Sequence, residues 1–280
     1  MTSGPQLPSP TWFVGCGNMG RAIVDGWRTA GIDLGQTVVI RPSGTPVEGV
    51  RTVSALPDAG IPPRLVVLAV KPQKLDEVVP QLKPWITGRT TIVSILAGVE
   101  VASLKQRFPA AGAVIRAMPN LPVAMRRGVT ALYTDDTDDA VKQQVGDLFV
   151  ALGWAMWTVD EGKLAAIGAV AGAGPAYVAR FVDALAKAGE ARGLSRETAA
   201  TIALETVLGT SWMAATTGEA MDSVVKRVAS PNGTTEAGLA VLDRKLDELV
   251  GETIGAAARR GAALAADAKA GPLAESASLH

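Results

Sequence analysis

The chain has very little cysteine and histidine, and these shortages narrow the chemistry open to it. Its 280 residues include one cysteine, Cys16, and one histidine, His280, which is the last residue. A single cysteine excludes a disulfide framework and suits a reducing compartment, so we expect a cytoplasmic protein. A lone terminal histidine excludes a Ser-His-Asp triad and a histidine-based metal site, and we expect no bound metal ion.

The chain also lacks an excess of charge of either sign and a long apolar run. Lysine plus arginine and aspartate plus glutamate both number 27. Without a run of basic residues, we expect neither a nucleic-acid partner nor a membrane-surface partner. An apolar run at residues 65–70 is far too short to span a bilayer, and we expect no membrane-spanning stretch.

Two patterns of structure follow each other along the chain. In the first half, short apolar or β-branched runs alternate with segments of helical spacing. Strands are predicted at 12–16, 37–40, 65–70, 90–96, 113–117, 129–133 and 154–159, and helices at 18–30, 72–85 and 137–152. This alternation predicts a mostly parallel sheet that is covered on both faces.

The second half is predicted to be helical throughout. Gly174 would begin one long helix, Ser195 would be the N-cap of the next, and a last helix would run over 247–268. We therefore predict one domain at 11–159 and a second at 160–268, between flexible tails at 1–10 and 269–280. The alanine and glycine of the second half suit close helix packing, either within one chain or at a subunit interface.

A glycine-rich turn joins the first predicted strand to the first predicted helix. It reads GCGNMG at residues 15–20. The first glycine would form the tight turn, the second would let a pyrophosphate approach the backbone, and the third would let the helix pack on the strand. An ordinary strand–helix connection is the plain alternative. The position of the motif nevertheless favours an α/β Rossmann dinucleotide-binding domain.

The end of the second predicted strand bears on the choice of cofactor. No acidic residue follows Ile40, where an NAD site would place one for the ribose hydroxyls. Arg41 offers a guanidinium and Ser43 a hydroxyl, and both suit a 2′-phosphate. We therefore predict NADPH, with NADH as the alternative cofactor. The plain alternative is that Arg41 is a solvated surface residue.

Six short segments follow one another in a characteristic order. They begin at Val14, Ala69, Ser94, Ile115, Ala171 and Ser230, and read VGCGNMG, AVKP, SILAGV, IRAMPN, AGAGPAY and SPNGTT. In this order they resemble segments of the pyrroline-5-carboxylate reductase family. Many enzymes share the glycine turn, whereas SPNGTT at this distance from it is far more specific. The resemblance implies NADPH-dependent reduction of 1-pyrroline-5-carboxylate to L-proline. It also implies an all-α dimerisation domain that forms an interlocked homodimer, whose dimers can assemble further.

The resemblance and the residue patterns above together indicate which residues form the sites. The cofactor would be bound by Val14, Gly15, Cys16, Gly17, Asn18, Met19, Gly20, Arg41, Ser43, Ala69, Val70, Lys71, Pro72, Ala97, Gly98 and Asn120. The substrate, a small cyclic imine carboxylate, would be bound by Val228, Ser230, Gly233, Thr234 and Thr235, facing the Rossmann domain of the partner subunit. Thr235 is the catalytic candidate, since its hydroxyl would form a hydrogen bond near the imine nitrogen or the nicotinamide.

The residues themselves agree with a substrate site in SPNGTT. Asn232 and Gly233 are turn residues, and Thr234 or Thr235 would cap a helix that runs through Leu242. The N–H groups of residues 233–235 would then form an anion cup for the substrate carboxylate. An ordinary capped helix with no ligand is the alternative.

Three other functions stay open at this point. The chain departs from the family pattern at Leu121, Ala171, Ala173 and Asn232. These departures leave another cyclic imine as an alternative substrate. A β-hydroxyacid dehydrogenase is disfavoured, because no asparagine follows Lys163 within residues 164–170. The third alternative comes from a different class of protein: an NADPH-binding regulator that has lost catalysis.

Overall fold

The computed structural model describes residues 4–57, 60–136 and 138–269, and the chain divides into two compact units. The chain up to Ala173, together with the chain from Ala257 onward, forms the first unit, and Gly174–Ala256 forms the second. This division differs from a boundary at residue 160, which stays a prediction. The predicted flexibility of the tails also stays a prediction, and residues 1–3 and 270–280 lie outside the described ranges.

An eight-stranded sheet forms the centre of the first unit, in the order β3-β2-β1-β4-β5-β6-β7-β8. Neighbouring strands are parallel, except that β6 and β7 are antiparallel. The predicted mostly parallel sheet is therefore confirmed. The strands are β1 (Thr11–Val14), β2 (Thr37–Ile40), β3 (Arg51–Val53), β4 (Leu65–Leu68), β5 (Thr91–Ser94), β6 (Ala113–Pro119), β7 (Gly128–Tyr133) and β8 (Gly153–Trp157).

Helices cover both faces of this sheet. The helices of the first unit are α1 (Asn18–Thr29), α2 (Leu75–Leu82), α3 (Val101–Arg107), α4 (Asp139–Val150) and α5 (Lys163–Ile167). Successive strand residues point to opposite faces, so Phe13 packs in a cluster with α1 and α4, while Val14 packs in a cluster with α2 and α3. Both faces are buried, which is why the strands read as continuous apolar runs.

Helices form the second unit. A π-helical turn, Gly168–Gly172, follows α5 in the first unit. The helices after it are α6 (Gly174–Glu190), α7 (Arg196–Thr217), α8 (Met221–Val228), α9 (Thr234–Leu242) and α10 (Leu246–Lys269), and α10 returns to the first unit at Ala257. As predicted, Ser195 is the N-cap of α7, and its hydroxyl accepts a hydrogen bond from the N–H of Thr198 at 3.2 Å. Large apolar side chains of α6 and α7 are exposed, among them Val178, Phe181, Ile202, Leu204 and Leu208.

One helical stretch, Lys163–Glu190, joins α5, the π-helical turn and α6. Among the described residues it is long and apolar enough to cross a membrane, judged by length and composition alone. The expectation that no stretch reaches that length is therefore wrong. Charged residues such as Arg180, Asp183 and Lys187 interrupt its apolar character, so the sequence has no continuous apolar run there.

Several elements differ from their sequence-based boundaries. The helix predicted over 72–85 is α2 flanked by two 3-10 turns, Pro72–Lys74 and Lys83–Trp85, each with proline near its start. Proline lacks an N–H group and favours such breaks. The short elements β3 and α3 were not predicted, because three and seven residues are too few for a clear periodic pattern.

Candidate cofactor and substrate sites

A cleft of about 410 Å³ opens at the carboxyl end of the sheet, beside β1 and β4. Its lining residues are Gly17, Asn18, Met19, Gly20, Ala69, Val70, Lys71 and Ile95. The chain runs outward from β1 to β3 and then returns to β4 on the other side of β1, so the strand order reverses here. Open α/β sheets bind ligands in the crevice at such a switch point.

The three glycines of the turn after β1 have different surroundings. Gly15 has φ +81°, and a Cβ there would lie 2.7 Å from Cγ1 of Val70 and 2.8 Å from the backbone of Ala69. A Cβ on Gly20 would lie 3.3 Å from that of Ala69, so a small residue lets α1 approach β4. A Cβ on Gly17 would meet no atom within 4 Å. Space is therefore open beside Gly17.

The first turn of α1 faces this open space. Gly17 is the N-cap residue and no side chain forms a capping hydrogen bond there. The first helical bond from this cap runs from the N–H of Arg21 to the carbonyl of Gly17 at 2.9 Å. The N–H groups of residues 18–20 precede that bond and have no partner within the helix, so they and the helix dipole favour an anion.

Two arginines lie near the same turn. Burial raises the pKa of the Cys16 thiol, and the positive charges of Arg41 and Arg21 partly oppose that rise. Arg41 directly follows β2, whereas Arg21 is exposed in the first turns of α1. Arg21 was missed in the sequence, although it directly follows the glycine motif. Its side chain adds a second positive charge beside the turn.

The loop after β2 also provides a hydroxyl. The Ser43 Oγ accepts hydrogen bonds from Oγ1 of Thr45 at 3.0 Å and from its N–H at 3.3 Å. Since the Ser43 oxygen is the acceptor in both bonds, its own proton remains available for a phosphate. Thr45 therefore holds Ser43 in place, a role that the sequence did not suggest.

The turns after β4 and β5 border the other end of the cleft. Ala69 and Val70 are partly buried, while the Lys71 side chain is exposed and its extended backbone begins a 3-10 turn. After β5, Ala97 is exposed and Gly98 has φ +77°. Glycine adopts this conformation without the penalty that a Cβ brings. These turns bring the predicted residues of both segments to the same edge of the sheet.

Asn120 has a structural role at the end of β6. Its side chain is buried, its Nδ2 donates to the carbonyl of Ala171 at 3.0 Å, and its Oδ1 accepts from the N–H of Val129 at 2.8 Å. The amide therefore ties the π-helical turn to the sheet. Asn120 is not among the lining residues of the cleft, and its predicted contact with the cofactor stays a prediction.

Glu161 and Arg116 form an ion pair that the sequence did not suggest. Glu161 Oε1 accepts from Nη1 of Arg116 and from the N–H of Val101, both at 2.8 Å. The two side chains are 22% and 9% exposed, respectively. No spacing along the chain signals this contact, because the three residues belong to distant segments.

The predicted substrate segment lies in the second unit, at the start of α9. Asn232 has φ +57°, and its N–H donates to Oε2 of Glu236 at 2.6 Å. Asn232 thus has the left-handed conformation, which asparagine tolerates better than most residues, and the predicted turn is present here. Thr235 is partly buried, whereas Val228, Ser230 and Thr234 are exposed.

Two details of this segment differ from the prediction. Gly233, rather than Thr234 or Thr235, is the N-cap residue of α9, and no side chain caps it. The N–H of Gly233 donates to the carbonyl of Ser230 at 3.0 Å, so it belongs to the turn and not to an anion cup. The N–H groups of Thr234 and Thr235 remain, because they lie in the first turn of the helix.

Comparison with known proteins decides the family. Residues 161–264 match the family described as pyrroline-5-carboxylate reductase dimerisation, and residues 12–98 match NADP oxidoreductase, coenzyme F420-dependent. The pyrroline-5-carboxylate reductase of Pseudomonas aeruginosa is 37% identical over 264 residues, which are 90% of this chain and 96% of that protein. The chain belongs to the pyrroline-5-carboxylate reductase family. Its members are oxidoreductases that act on a C=N bond.

Solved structures of pyrroline-5-carboxylate reductases have the same fold. The enzyme of Coxiella burnetii is 32% identical with a TM-score of 0.83, covering 91% of this chain and 98% of its own. The pyrroline carboxylate reductase of Plasmodium falciparum, solved with NADP bound, is 25% identical with the same TM-score of 0.83, covering 92% and 98%. The Rossmann domain and the all-α domain predicted from the sequence are thus confirmed.

Family membership also bears on the exposed apolar helices. The match to the dimerisation family includes all of α6 and α7. The protein is therefore a homo-oligomer, and exposed apolar residues such as Phe181 and Leu208 are of the kind that subunit interfaces bury. The apolar stretch Lys163–Glu190 belongs to this dimerisation region as well.

Proposed function

We propose that this protein reduces 1-pyrroline-5-carboxylate to L-proline with NADPH as the hydride donor. The observation that carries the proposal is the cleft after β1, where the first amides of α1 face open space beside Gly17. Membership of the pyrroline-5-carboxylate reductase family supports the reaction, and the NADP bound to the Plasmodium falciparum relative supports the cofactor.

The residues along the carboxyl edge of the sheet suit NADPH in one orientation across the strands, with its 2′-phosphate near β2 and its nicotinamide near β5. The N–H groups of Asn18, Met19 and Gly20 would hold the diphosphate. On the side of β2, Arg41, Ser43 and Arg21 would bind the 2′-phosphate. On the side of β4 and β5, residues 69–72 and 97–98 would border the nicotinamide. Neighbouring strands lie about 4.8 Å apart, so these groups follow each other across the edge in the order β2, β1, β4, β5.

NADPH, when bound, supplies a hydride to the C=N carbon of the substrate. A protonated imine is already electrophilic, so the nitrogen keeps its proton and becomes the secondary amine of proline. The protein then has to hold and orient the substrate, not to donate a proton. The N–H groups of Thr234 and Thr235 would hold the carboxylate, and Oγ1 of Thr235 would orient the imine nitrogen. Val228 and Ser230 would line the pocket. Much of the rate would come from this placement.

We also propose that each site is shared between two subunits. The segment Ser230 to Thr235 would face the Rossmann domain of the partner subunit, and dimers would assemble further. The dimerisation match over residues 161–264 and the exposed apolar side chains of α6 and α7 support this arrangement. With one cysteine and no charge excess, the cytoplasm is the proposed location.

The reaction is tested by following the near-ultraviolet absorbance of NADPH. We expect rapid oxidation with 1-pyrroline-5-carboxylate and slower oxidation with NADH in place of NADPH. Six-membered and uncarboxylated cyclic imines serve as parallel substrates. Turnover with those imines alone would show that another cyclic imine is the substrate. No turnover with any imine, despite NADPH binding, would favour a catalytically silent regulator.

The role of the Thr235 hydroxyl has a matched control in its neighbour. Thr235→Val removes the hydroxyl and keeps the shape, and Thr234→Val does the same one residue earlier. A hydrogen bond to a charged group contributes about 1.5–3 kcal/mol, so kcat should fall about 10- to 10²-fold in Thr235→Val and little in Thr234→Val. Equal losses in both variants would contradict the catalytic assignment.

A shared site is tested by complementation between two defective subunits. Gly17→Ala would impair the cofactor site, and Thr235→Val the substrate site. Random pairing after co-expression gives half heterodimers, each with one intact site, so roughly a quarter of wild-type activity should return. Activity no higher than that of the separate variants would mean that each site is built within one subunit.

A further inference from the structure

The Glu161 carboxylate connects three parts of the first unit. It lies between β8 and α5, and its Oε1 accepts hydrogen bonds from the Val101 N–H and from Arg116 Nη1 at 2.8 Å each. Arg116 belongs to β6, and Val101 is the first residue of α3. Both bonds are partly shielded from water, since the Arg116 side chain is only 9% exposed.

The bond to Val101 fixes the start of α3. The N-cap residue of this helix, Glu100, forms no side-chain capping hydrogen bond. Glu161 takes that place from a distant segment and brings a negative charge to the positive end of the helix dipole. The loop of Ala97 and Gly98 ends three residues before Val101, so the position of Val101 sets where this loop ends.

The same loop also packs against α10. A Cβ on Gly98 would lie 2.8 Å from Cα of Ala265, so the two backbones are in close contact. The loop is thus held by Glu161 at its carboxyl-terminal end and by α10 along its side. Ala97 and Gly98 are the residues that would border the nicotinamide.

We propose that Glu161 is a positioning residue for hydride transfer, acting through the N–H of Val101 on the loop of Ala97 and Gly98. The proposal rests on the proposed function, since it assumes the reductase reaction. Glu161 is not among the lining residues of the cleft after β1, so it would act through Val101 and not by direct contact. A displacement of about 1 Å between reacting groups costs about 10²-fold in rate, so the loop position should govern kcat.

Two conservative variants separate positioning from mere stability. Glu161→Gln keeps the length of the side chain and an oxygen that can accept from Val101, but it removes the charge that pairs with Arg116. Glu161→Asp keeps the charge and shortens the side chain by one carbon–carbon bond. The flexible Arg116 side chain can still pair with the shorter carboxylate, whereas the backbone N–H of Val101 cannot follow it. A purely structural ion pair would suffer more in Glu161→Gln, whereas a positioning role predicts the opposite for kcat.

The matched control is the ion pair at the other end of α3. Arg107 donates to both carboxylate oxygens of Asp76, at 2.7 and 3.2 Å, and its side chain is 10% exposed. Asp76→Ala breaks an ion pair that holds the same helix and whose arginine is as buried as Arg116, although Asp76 is more exposed than Glu161. We therefore expect it to lower the melting temperature without changing kcat.

The assay is steady-state kinetics with NADPH and with NADPH deuterated at the transferred position, on full-length oligomer that unfolds cooperatively. Glu161→Asp should lower kcat about 10- to 10²-fold, change the KM for NADPH less than about threefold, and raise the deuterium isotope effect on kcat. Glu161→Gln should retain kcat within about threefold.

Contrary results are distinguishable from a failure of the proposed function. If the wild-type protein oxidises no NADPH with any imine, the proposed reductase function itself is refuted. With an active wild type, an unchanged kcat and isotope effect in Glu161→Asp, or an equal loss of kcat in Asp76→Ala, would overturn the positioning role. If Glu161→Gln lost more kcat than Glu161→Asp, the ion pair with Arg116 and not the bond to Val101 would be decisive.

Discussion

Replacing Gly17 by alanine should separate the stability of the glycine turn from its binding of the cofactor. Gly17 has φ −78° and ψ −161°, which alanine adopts without strain, and an added Cβ would meet no atom within 4 Å. Alanine also restricts the unfolded chain. The free energy of unfolding should therefore stay constant or rise by about 0.4–1 kcal/mol.

The same methyl group would occupy the space into which the diphosphate must come. A hydrogen bond to a charged group contributes about 1.5–3 kcal/mol, so the loss of one such bond to the first turn of α1 should raise the Kd for NADPH about 10- to 10²-fold. Calorimetric titration with NADPH measures this change. Thermal unfolding without cofactor measures the stability of the same variant.

Gly15→Ala provides the contrast within the same turn. Gly15 has φ +81°, and its Cβ would lie 2.7 Å from the Val70 side chain and 2.8 Å from the Ala69 backbone. A left-handed backbone costs about 1–2 kcal/mol in a residue with a Cβ, and overpacking costs about 1–3 kcal/mol, so this variant should lose stability as well as affinity. An unchanged Kd for NADPH in Gly17→Ala would contradict the placement of the diphosphate beside Gly17. An equal loss of stability in both variants would contradict the conclusion that the space beside Gly17 is open.

Three further results are expected. Arg41→Ala should raise the KM for NADPH about 10- to 10²-fold and leave the KM for NADH within about threefold, since only NADPH carries the 2′-phosphate. Steady-state kinetics with each cofactor measure both values, and an equal rise in the two KM values would contradict this role of Arg41. Burial would raise the pKa of Asp136, but hydrogen bonds from Lys105 and other donors hold it below its ordinary 3.8, so the ionised carboxylate stabilises the fold above that pH and the stabilisation is lost as pH falls through the lowered pKa. The free energy of unfolding of Asp136→Asn should thus lie about 1–3 kcal/mol below that of wild type near neutral pH, with a gap that narrows below about pH 4, and a gap independent of pH would contradict the role of the charge. Leu208→Lys should shift the oligomer toward monomer in sedimentation or light scattering, because this exposed side chain of α7 would otherwise be buried by a second subunit.

Periodic patterns predicted the elements that are long or buried on both sides. The residues of β2 were predicted with correct bounds, since a short β-branched run between polar residues is typical of a strand and of few other structures. The antiparallel pairing of β6 with β7 was not predictable, because strand direction depends on how the connecting segment crosses the sheet. The 3-10 turn Leu121–Met125 connects these two strands and carries no periodic pattern.

The candidate cofactor residues were predictable where function requires a local motif. The glycine turn is local, and so is the arginine that follows β2. The ion pair of Glu161 with Arg116 was not predictable, since 45 residues separate the two side chains along the chain. The cap of α9 was predicted wrongly at Thr234 or Thr235, because Gly233 reaches the N-cap position through the turn that Asn232 begins.

The sequence by itself determined the class of the protein: a strand–helix alternation with a dinucleotide turn, then an all-helical half with the SPNGTT segment. Those features are local in the chain, where periodicity and backbone chemistry leave few alternatives. Only the tertiary structure decided that Arg41 lies near Arg21 beside the turn and that Glu161 accepts a hydrogen bond from the first N–H of α3. Contacts between distant segments depend on how the sheet is ordered and packed, and no spacing along the chain encodes them directly.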